Sequence, residues 1–364
     1  MVIPVTIGTT RSIKATAGFI AAAMTVLLAL LAGACRSDST IPPPVSHAVV
    51  KRTQMHMGTL VTLTASASTP EVAQKVVAAG FREIRRLEGL WSTWISTSEL
   101  SRVNAAAGRQ PVRVSPETLD LVRRALEIGT LTDGAFNILL GPAVEAWNIS
   151  RDPHVPNPEE LVRIKPLLDS GDVQLDDRAG TVYLKKPGMR IDVGGIGKGY
   201  AADLTVAVMR RAGAESGVVA LSGDMRTFGP MPDGSPYRFG IQHPRKADAL
   251  LARINLRDEA ISTAGDYERY FEADGILYHH ILDPRTLQPA RACQSVTVIA
   301  KEGIMADGLD TGIFVLGADE GMKLVERLPN VEAIIVDAGG NVSVSSGLRD
   351  RVMFDPSDSE DSAR

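Results

Sequence analysis

Short apolar runs, several of them alternating with polar residues, recur along the chain and predict β-strands. Residues 60–64 alternate, and residues 173–184 have the pattern of a hairpin that turns at residues 177–180. Further strands are predicted at residues 218–221, 237–242, 278–282, 296–300 and 333–336. Irregular spacers separate these runs, and there is neither steady βαβ alternation nor an internal repeat. The pattern therefore favours an α+β fold over a doubly wound sheet.

Three segments carry the same helix-starting pattern, and the first of them leads into a long amphipathic run. The openings are Thr69-Pro70-Glu71, Ser115-Pro116-Glu117 and Asn157-Pro158-Glu159. A side-chain oxygen at the cap, a proline in the first turn and a carboxylate behind it each stabilise a helix start. The pattern therefore predicts a helix after each opening.

The N-terminal segment has the pattern of an export signal. Arg11 and Lys14 precede an apolar run over residues 15–34, and small residues lead to Cys35. This resembles a bacterial lipoprotein signal with a lipidated Cys35, although Ala32 stands where such signals usually have leucine. An ordinary signal peptide and an uncleaved anchor helix are the alternatives. All three place the folded part outside the cytoplasm.

These features divide the chain into four predicted parts. They are a lipoprotein signal at residues 1–34, a Ser- and Pro-rich tether at 35–50, a folded domain at 51–350 and a disordered acidic tail at 351–364. We expect a protein of the bacterial cell envelope, lipid-anchored to a membrane, with its folded domain in the periplasm.

Net charge and cysteine content argue against nucleic acid as a partner and against an internal disulfide. The 364 residues carry a net charge of −4 and are 5% aromatic, so nothing suggests nucleic acid as a partner. Cys293 is the only cysteine besides Cys35. A lipidated Cys35 would therefore leave no internal disulfide, and the strand-like surroundings of Cys293 predict a packed thiol rather than a catalytic one.

A glycine-rich segment with one lysine, residues 191–203, is the strongest candidate for binding a phosphate. Small residues let backbone amides approach a ligand, the predicted helix start adds partial positive charge, and Lys198 adds a full one. However, Gly199 stands where a P-loop has Ser or Thr, and Tyr200 stands where a dinucleotide fingerprint has its third glycine. The pattern indicates a phosphorylated ligand held in some other way.

A second cluster combines oxygen donors on one helix face. Asp307 lies three residues before Asp310 and four before Thr311, so the three side chains share a face. Two carboxylates and a hydroxyl suit Mg²⁺. The alternative is an acid-rich first turn favoured only by the helix dipole.

Other residues give weaker signals. No His-Glu-x-x-His or Gly-x-Ser-x-Gly motif occurs, which argues against a zinc hydrolase and a serine hydrolase. In a strand, His279 and His280 must face opposite sides, so one of them can line a pocket. Trp94 is either a core side chain or a surface for a flat ring. The Asn137 amide follows a turn and is a candidate for hydrogen-bonding to the polar edge of a ligand ring.

Together these segments resemble the ApbE family, the FAD:protein FMN transferases. The matching segments, in chain order, are residues 57–59, 92–104, 132–137, 191–203, 260–267, 280–285 and 306–311. The chain departs from the family pattern in having Asn137 for an aspartate, Gly195 for an alanine, and Ser222-Gly223-Asp224 for Gly-Gly-Asn or Gly-Gly-Asp. The resemblance implies the ApbE-type fold, with T-fold-like mixed sheets and packed helices.

The resemblance also implies the site residues. FAD would be bound by Met57, Trp94, Ala135, Phe136, Asn137, Asp192, Lys198 and the backbone of Ile281. Mg²⁺ would be held by the Gly195 carbonyl, Asp307, Asp310 and Thr311.

The implied reaction moves FMN from FAD to a Thr or Ser hydroxyl of an acceptor protein in a membrane redox complex and releases AMP. Mg²⁺ and Lys198 would neutralise charge on the leaving phosphate, and FAD would be a substrate rather than a redox cofactor. His280 and Asp192 are the candidates for taking the proton of the attacking hydroxyl, with His280 slightly favoured. The alternatives are a Mg²⁺-dependent FAD pyrophosphatase giving FMN and AMP, and a non-catalytic FAD-binding lipoprotein.

Overall fold

A computed structural model describes residues 47–355. The predicted signal at residues 1–34, most of the predicted tether and residues 356–364 lie outside the described part. Within residues 47–355, no helix is both long and apolar enough to cross a membrane.

The three predicted helix starts are confirmed. The side chains of Thr69, Ser115 and Asn157 accept hydrogen bonds from backbone N–H groups in the first turns that follow them. The α-helices are α1 (Pro70–Trp91), α2 (Glu99–Ala105), α3 (Pro116–Leu131), α4 (Gly141–Trp147), α5 (Pro158–Ile164), α6 (Gly197–Arg211), α7 (Gly303–Leu316) and α8 (Ala318–Val325).

The strands form four antiparallel sheets. They are β1 (Ala48–His56), β2 (Thr59–Ala67), β3 (Val112–Arg113), β4 (Val173–Asp176), β5 (Thr181–Leu184), β6 (Ser216–Leu221), β7 (Asp224–Phe228), β8 (Tyr237–Gln242), β9 (Leu250–Leu256), β10 (Ala260–Gly265), β11 (Tyr270–Ala273), β12 (Ile276–His279), β13 (Cys293–Ala300), β14 (Val331–Asp337), β15 (Val342–Val344) and β16 (Val352–Phe354). The largest sheet has eight strands in the order β1-β2-β6-β7-β10-β13-β14-β15. The smaller sheets are β16-β9-β8, β3-β5-β4 and the hairpin β11-β12. Helices and antiparallel sheets together confirm the α+β prediction.

Most predicted strands are found, and one ends early. The hairpin at residues 173–184 and the strand at 237–242 match β4-β5 and β8. The predicted strand at 278–282 is wrong in its second half, because β12 ends at His279 and Leu282 pairs only with Pro289 in an isolated bridge.

Two predicted boundaries of the folded part are also wrong. Residues 48–50, assigned to the tether, belong to β1, which pairs with β2 over nine positions. Residues 352–354, assigned to the disordered tail, form β16, which pairs with β9 from Val352↔Ile254 to Phe354↔Ala252. β1 gains its backbone hydrogen bonds from the next strand, β2, whereas β16 gains them from a strand about a hundred residues earlier in the chain.

The central strands of the eight-stranded sheet are buried on both faces. Along β10 and β13, Ala260 and Val298 belong to the large core beneath α1, α6 and α7, whereas Ile261 and Ile299 pack against the sheet β16-β9-β8. Successive residues of a strand point to opposite faces, so these neighbours mark two separate cores. The arrangement is therefore a helical layer, a central sheet and a small second sheet.

A third cluster supports the hairpin β11-β12. Trp147 of α4 is buried among α5, Leu287 and the rings of Phe271 and Tyr278. Its indole N–H donates to the Leu287 carbonyl at 2.8 Å. This cluster fixes the hairpin and the loop after it, which carry His280 and Ile281.

The thiol of Cys293 is buried at the start of β13. Burial raises its pKa to about 12, so it stays protonated and packs as a small apolar group. This agrees with the packed thiol predicted from the sequence.

Candidate functional site

Three buried carboxylates converge where α7 meets the central sheet. Asp307 and Asp310 lie on α7, Asp224 begins β7, and one oxygen of each lies within 4.8 Å of the others. Burial, followed by repulsion from neighbouring carboxylates, raises the pKa of Asp307 and of Asp310 well above the usual range. Asp224 is absent from the predicted set of metal ligands, although its Ser222-Gly223-Asp224 segment matches a family motif in modified form.

Lys198 compensates part of this negative charge. Its ammonium group forms an ion pair with the Asp224 carboxylate. Burial alone would lower the pKa of Lys198, but the attraction of Asp224 and Asp307 outweighs it, so the pKa is raised and the side chain stays charged. Lys198 thus faces the carboxylate cluster in the protein without ligands.

The cluster has the charge and donor type of a divalent cation site. Three ionised carboxylates and one ammonium would leave two negative charges uncompensated in a buried position, which is why the pKa values of Asp307 and Asp310 are raised. Buried charges are costly unless they are paired or coordinate a metal. Oxygen-only donors suit Mg²⁺ or Ca²⁺ rather than zinc. The residues present therefore fit the Mg²⁺ expected from the sequence.

Neighbouring polar groups hold the carboxylates in place. The Ser262 hydroxyl contacts Asp224 and lies 2.5 Å from Asp310 Oδ2. Thr311 Oγ1 donates to Asp310 Oδ1 at 3.1 Å. Gly195 lies directly beside Thr311, because a Cβ at Gly195 would lie 3.0 Å from Thr311 Oγ1. The four predicted metal ligands are thus brought together, and Asp224 and Ser262 join them.

The start of α6 touches the start of α7 backbone to backbone. A Cβ at Gly199 would lie 2.1 Å from the Gly303 carbonyl oxygen, and a Cβ at Gly303 would lie 2.4 Å from the Gly199 oxygen. The Gly199 N–H donates to Asp307 Oδ2 at 2.8 Å. This contact explains why the segment is not a P-loop: a Ser or Thr at position 199 has no room.

Asp203 fixes the same two helices from the other side. Its carboxylate, on α6, accepts from the N–H groups of Gly303 and Ile304 at 2.8 and 3.0 Å. It therefore caps the N-terminus of α7, where negative charge is stabilising. Asp203 ends the glycine-rich motif, and the cap gives it a structural role.

The segment 132–137 lies against the metal ligands. Ala135 and Phe136 are buried, and the Phe136 ring would lie 3.6 Å from a Cβ at Gly195. The half-buried Asn137 already uses its amide within the protein: its N–H donates to Leu168 O and its oxygen accepts from Leu139 N–H, both at 2.9 Å. The side chain of Asn137 thus holds two loops together, and a ligand would compete with those bonds.

Met57 and Gly58 form the turn between β1 and β2. Both have positive φ, 50° and 69°, as a type I′ turn requires. The Met57 N–H donates to Glu88 Oε1 at 2.7 Å, and the same carboxylate lies 3.2 Å from the His56 ring. Glu88 on α1 therefore fixes Met57, a supporting residue that the sequence did not indicate.

The Asp192 side chain and the Ile281 carbonyl each accept a hydrogen bond from a backbone N–H group. Asp192 Oδ1 accepts from Gly194 N–H at 2.9 Å, and burial raises the pKa of Asp192 despite that bond and the charge of Arg269. The Ile281 carbonyl accepts from Ala290 N–H at 2.9 Å.

The two histidines have different environments, as the alternation of a strand predicts. His279 is buried; its Nε2 lies 2.6 Å from the Ala290 carbonyl and its Nδ1 accepts from Ile281 N–H, so Nε2 carries the proton. His280 is half-buried, and its Nδ1 lies 3.3 Å from the Arg269 carbonyl. That contact places the proton of neutral His280 on Nδ1 and leaves Nε2 as an acceptor.

The protonation of His280 gives a testable pH dependence. Burial, followed by the charge of Arg269, lowers the pKa of His280 to about 3. The unfolded chain, with an ordinary histidine pKa, takes up this proton first as the pH falls, so the folded state loses stability between about pH 6.5 and pH 3. We expect the free energy of unfolding to fall less from pH 7 to pH 4 in His280→Gln than in the unchanged protein, as measured by urea denaturation. His154→Gln, at an exposed histidine, is the control, and identical pH profiles for all three proteins would contradict the assignment.

Trp94 is the exposed aromatic side chain of this region. It is 68% exposed in the loop between α1 and α2, whereas Trp91 and Trp147 are buried. The Arg151 guanidinium lies over its ring, 3.6 Å from the centroid. Of the two roles considered from the sequence, a core side chain is therefore wrong, and stacking on a flat ring stays a prediction.

Comparison with known proteins places the chain in a family. The pattern of the ApbE family matches residues 57–335. FAD:protein FMN transferase from Klebsiella pneumoniae (strain 342) is 34% identical over 282 residues, which cover 77% of this chain and 87% of that protein. The enzyme of the same name from Salmonella typhimurium is 36% identical over 245 residues, covering 65% and 70%.

Solved structures agree with the fold. The crystal structure of the ApbE protein from Thermotoga maritima matches with a TM-score of 0.78 and 32% identity, covering 83% of this chain and 98% of that one. The flavin transferase ApbE from Vibrio cholerae matches with a TM-score of 0.75 and 29% identity, covering 84% and 100%. The fold implied by the sequence resemblance is confirmed, and the chain belongs to the ApbE family.

Proposed function

We propose that this protein transfers FMN from FAD to a Thr or Ser hydroxyl of an acceptor protein, with Mg²⁺ bound at the carboxylate cluster, and releases AMP. The names of its relatives, FAD:protein FMN transferases, support flavin transfer to a protein. The observation that carries the rest is the buried cluster of Asp224, Asp307 and Asp310 with Lys198 beside it. A pyrophosphate bond breaks only where the charge on the leaving phosphate is neutralised.

The cluster and the segments beside it supply the parts of such a site. Asp307, Asp310 and Thr311, with the Gly195 carbonyl and Asp224, would hold Mg²⁺. When bound, Mg²⁺ would neutralise phosphate charge and polarise the bond that breaks. Lys198 adds a fixed positive charge, and burial keeps the electrostatic interactions strong.

In the proposed reaction, the acceptor hydroxyl oxygen bonds to the phosphorus of the FMN moiety, and the bond from that phosphorus to the AMP oxygen breaks. The hydroxyl proton passes to a base, and AMP leaves with the negative charge. His280 is the favoured base, because its Nε2 is unprotonated and free of hydrogen bonds to the described residues. Its low pKa makes it a weak base until the negative pyrophosphate arrives and raises that pKa. Asp192 is the alternative.

FAD would lie along the segments that carry Met57, Trp94, Ala135 to Asn137, Asp192 and Ile281. Phe136 supports this position, because it packs against Gly195 beside the carboxylates. Trp94 supports it through its exposed ring.

Incubation of the purified protein with FAD, MgCl₂ and a flavin-acceptor domain tests the proposal. Transfer gives an acceptor band that stays fluorescent in a denaturing gel, with one AMP per flavin. FMN and AMP formed without acceptor would identify a pyrophosphatase instead. Unchanged FAD that co-purifies with the protein would identify a binding protein.

We further propose that the protein is anchored in the cell envelope by a lipid on Cys35, with the catalytic domain in the periplasm and the acceptor in a membrane redox complex. We expect Cys35→Ala to move the protein from the membrane fraction to the soluble fraction, because the lipid would be its anchor. The check is immunoblotting of fractionated cells, with Cys293→Ala as the matched control that stays in the membrane. A Cys35→Ala protein that remains with the membrane would overturn the lipid anchor.

A further inference from the structure

Arg151 has a contact that the proposed function does not use. Its guanidinium covers the face of Trp94 at 3.6 Å, and among residues 47–355 it has no carboxylate partner within ion-pair distance. An arginine on an exposed loop is usually solvated, and an exposed cation–π pair is a weak interaction. The contact is therefore weak enough for a ligand to displace it.

The Trp94–Arg151 contact joins two connections that both lead to the glycine-rich segment. On one side, the Asn104 side chain of α2 hydrogen-bonds both backbone groups of Ile191, at 2.9 and 2.7 Å. On the other side, the Asp192 N–H donates to the Ile138 carbonyl at 2.8 Å, just before α4. The loop that carries Trp94 and the connection that carries Arg151 are thus anchored to adjacent residues of the proposed flavin site.

The charge of Arg151 matches the ligand. The chain has a net charge of −4, so a cation that is available to the ligand helps an anionic dinucleotide to bind. An arginine without a carboxylate partner is a cation that a phosphate can bind in bidentate geometry.

We propose that Arg151 is a recognition residue for the pyrophosphate of FAD. Its guanidinium covers the face of Trp94; the flavin ring of FAD takes that face on binding, and the displaced guanidinium pairs with a phosphate of the same ligand. Arg151 therefore weakens the binding of a flavin without phosphate and strengthens the binding of a flavin that carries a pyrophosphate. This inference rests on the proposed function, since it requires FAD as the ligand.

Equilibrium titration of flavin fluorescence, with Mg²⁺ present, tests the two opposite effects. Arg151→Ala removes both the competing guanidinium and the charge. We expect it to bind riboflavin about two- to fivefold more tightly, since the ring face is free. We expect it to bind FAD about three- to tenfold more weakly, since a charged hydrogen bond is lost. Arg151→Lys keeps the charge but not the planar bidentate group, so both its riboflavin affinity and its FAD affinity should lie between those of Arg151→Ala and the unchanged protein.

Arg163→Ala, at another exposed arginine, is the matched control and should leave both affinities unchanged. If Arg151→Ala shifts both flavins in the same direction, or shifts neither, Arg151 is only a surface contact of Trp94 and the inference is overturned. Failure of the unchanged protein to bind FAD at all would instead overturn the proposed function.

Discussion

Asp307→Asn is expected to abolish flavin transfer while stabilising the metal-free protein. The substitution keeps the shape of the side chain and an oxygen that can accept from Gly199 N–H, but it removes one of three buried negative charges. A weakened metal site loses charge neutralisation at the leaving phosphate, which contributes several kcal/mol, so we expect the rate to fall by about a thousandfold or more. In EDTA, at a pH above the raised Asp307 pKa of about 7, relief of carboxylate repulsion should raise the free energy of unfolding by about 1–3 kcal/mol.

Both effects can be measured on one preparation. Transfer is followed by in-gel fluorescence of the acceptor, and stability by urea denaturation with EDTA and with MgCl₂. Asp258→Asn is the control, because Asp258 is an exposed carboxylate paired with Arg210 and should change neither quantity strongly. If Asp307→Asn retained full transfer, or lost stability in EDTA, the carboxylate cluster would not be the metal site.

Gly199→Ala is expected to cost about 3 kcal/mol of stability or more. Its Cβ would lie 2.1 Å from the Gly303 oxygen and 2.7 Å from the Cβ of Asp307, so α6 and α7 would have to separate. The separation would also pull Gly199 N–H away from Asp307, so transfer should fall even at temperatures where the protein remains folded. Thermal unfolding followed by circular dichroism measures the first effect, and the gel assay measures the second.

The control is Gly89→Ala on α1, which has the opposite expectation. Nothing lies within 4 Å of a Cβ at Gly89, so alanine fits the helix without a clash and should add about 0.5–1 kcal/mol. Equal stabilities for the two variants would show that the contact between Gly199 and Gly303 is not close.

Local signals made much of the fold predictable from the sequence. The caps at Thr69, Ser115 and Asn157 act within one turn, and the hairpin at residues 173–184 closes on itself, so a short window contains the whole cause. The C-terminal end of the folded part was not predictable in this way. β16 is fixed by β9, which lies about a hundred residues away along the chain, whereas β1 pairs locally with the adjacent β2.

The residues of the site divide in the same way, into those that local sequence spacing predicts and those that only the folded sheet brings together. Helical spacing places Asp307, Asp310 and Thr311 on one face of α7, so the sequence alone brings them together. Asp224 joins them only because β7 lies beside β10 in the sheet, and Ser262 of β10 contacts both Asp224 and Asp310. The glycine-rich segment was predicted to bind phosphate. The structure adds that, without ligand, Lys198 and Gly199 N–H face carboxylates.

The backbone contact between Gly199 and Gly303 also divides the molecule into a stiff part and an adaptable part. Two helices that touch without side chains between them, and that are joined again by Asp203, cannot slide or tilt independently. The floor of the site is therefore fixed before any ligand arrives. If FAD binds as proposed, adjustment to it falls to segments outside this contact, such as the two loops that carry Trp94 and Arg151, and bond breaking would occur over a floor that does not move.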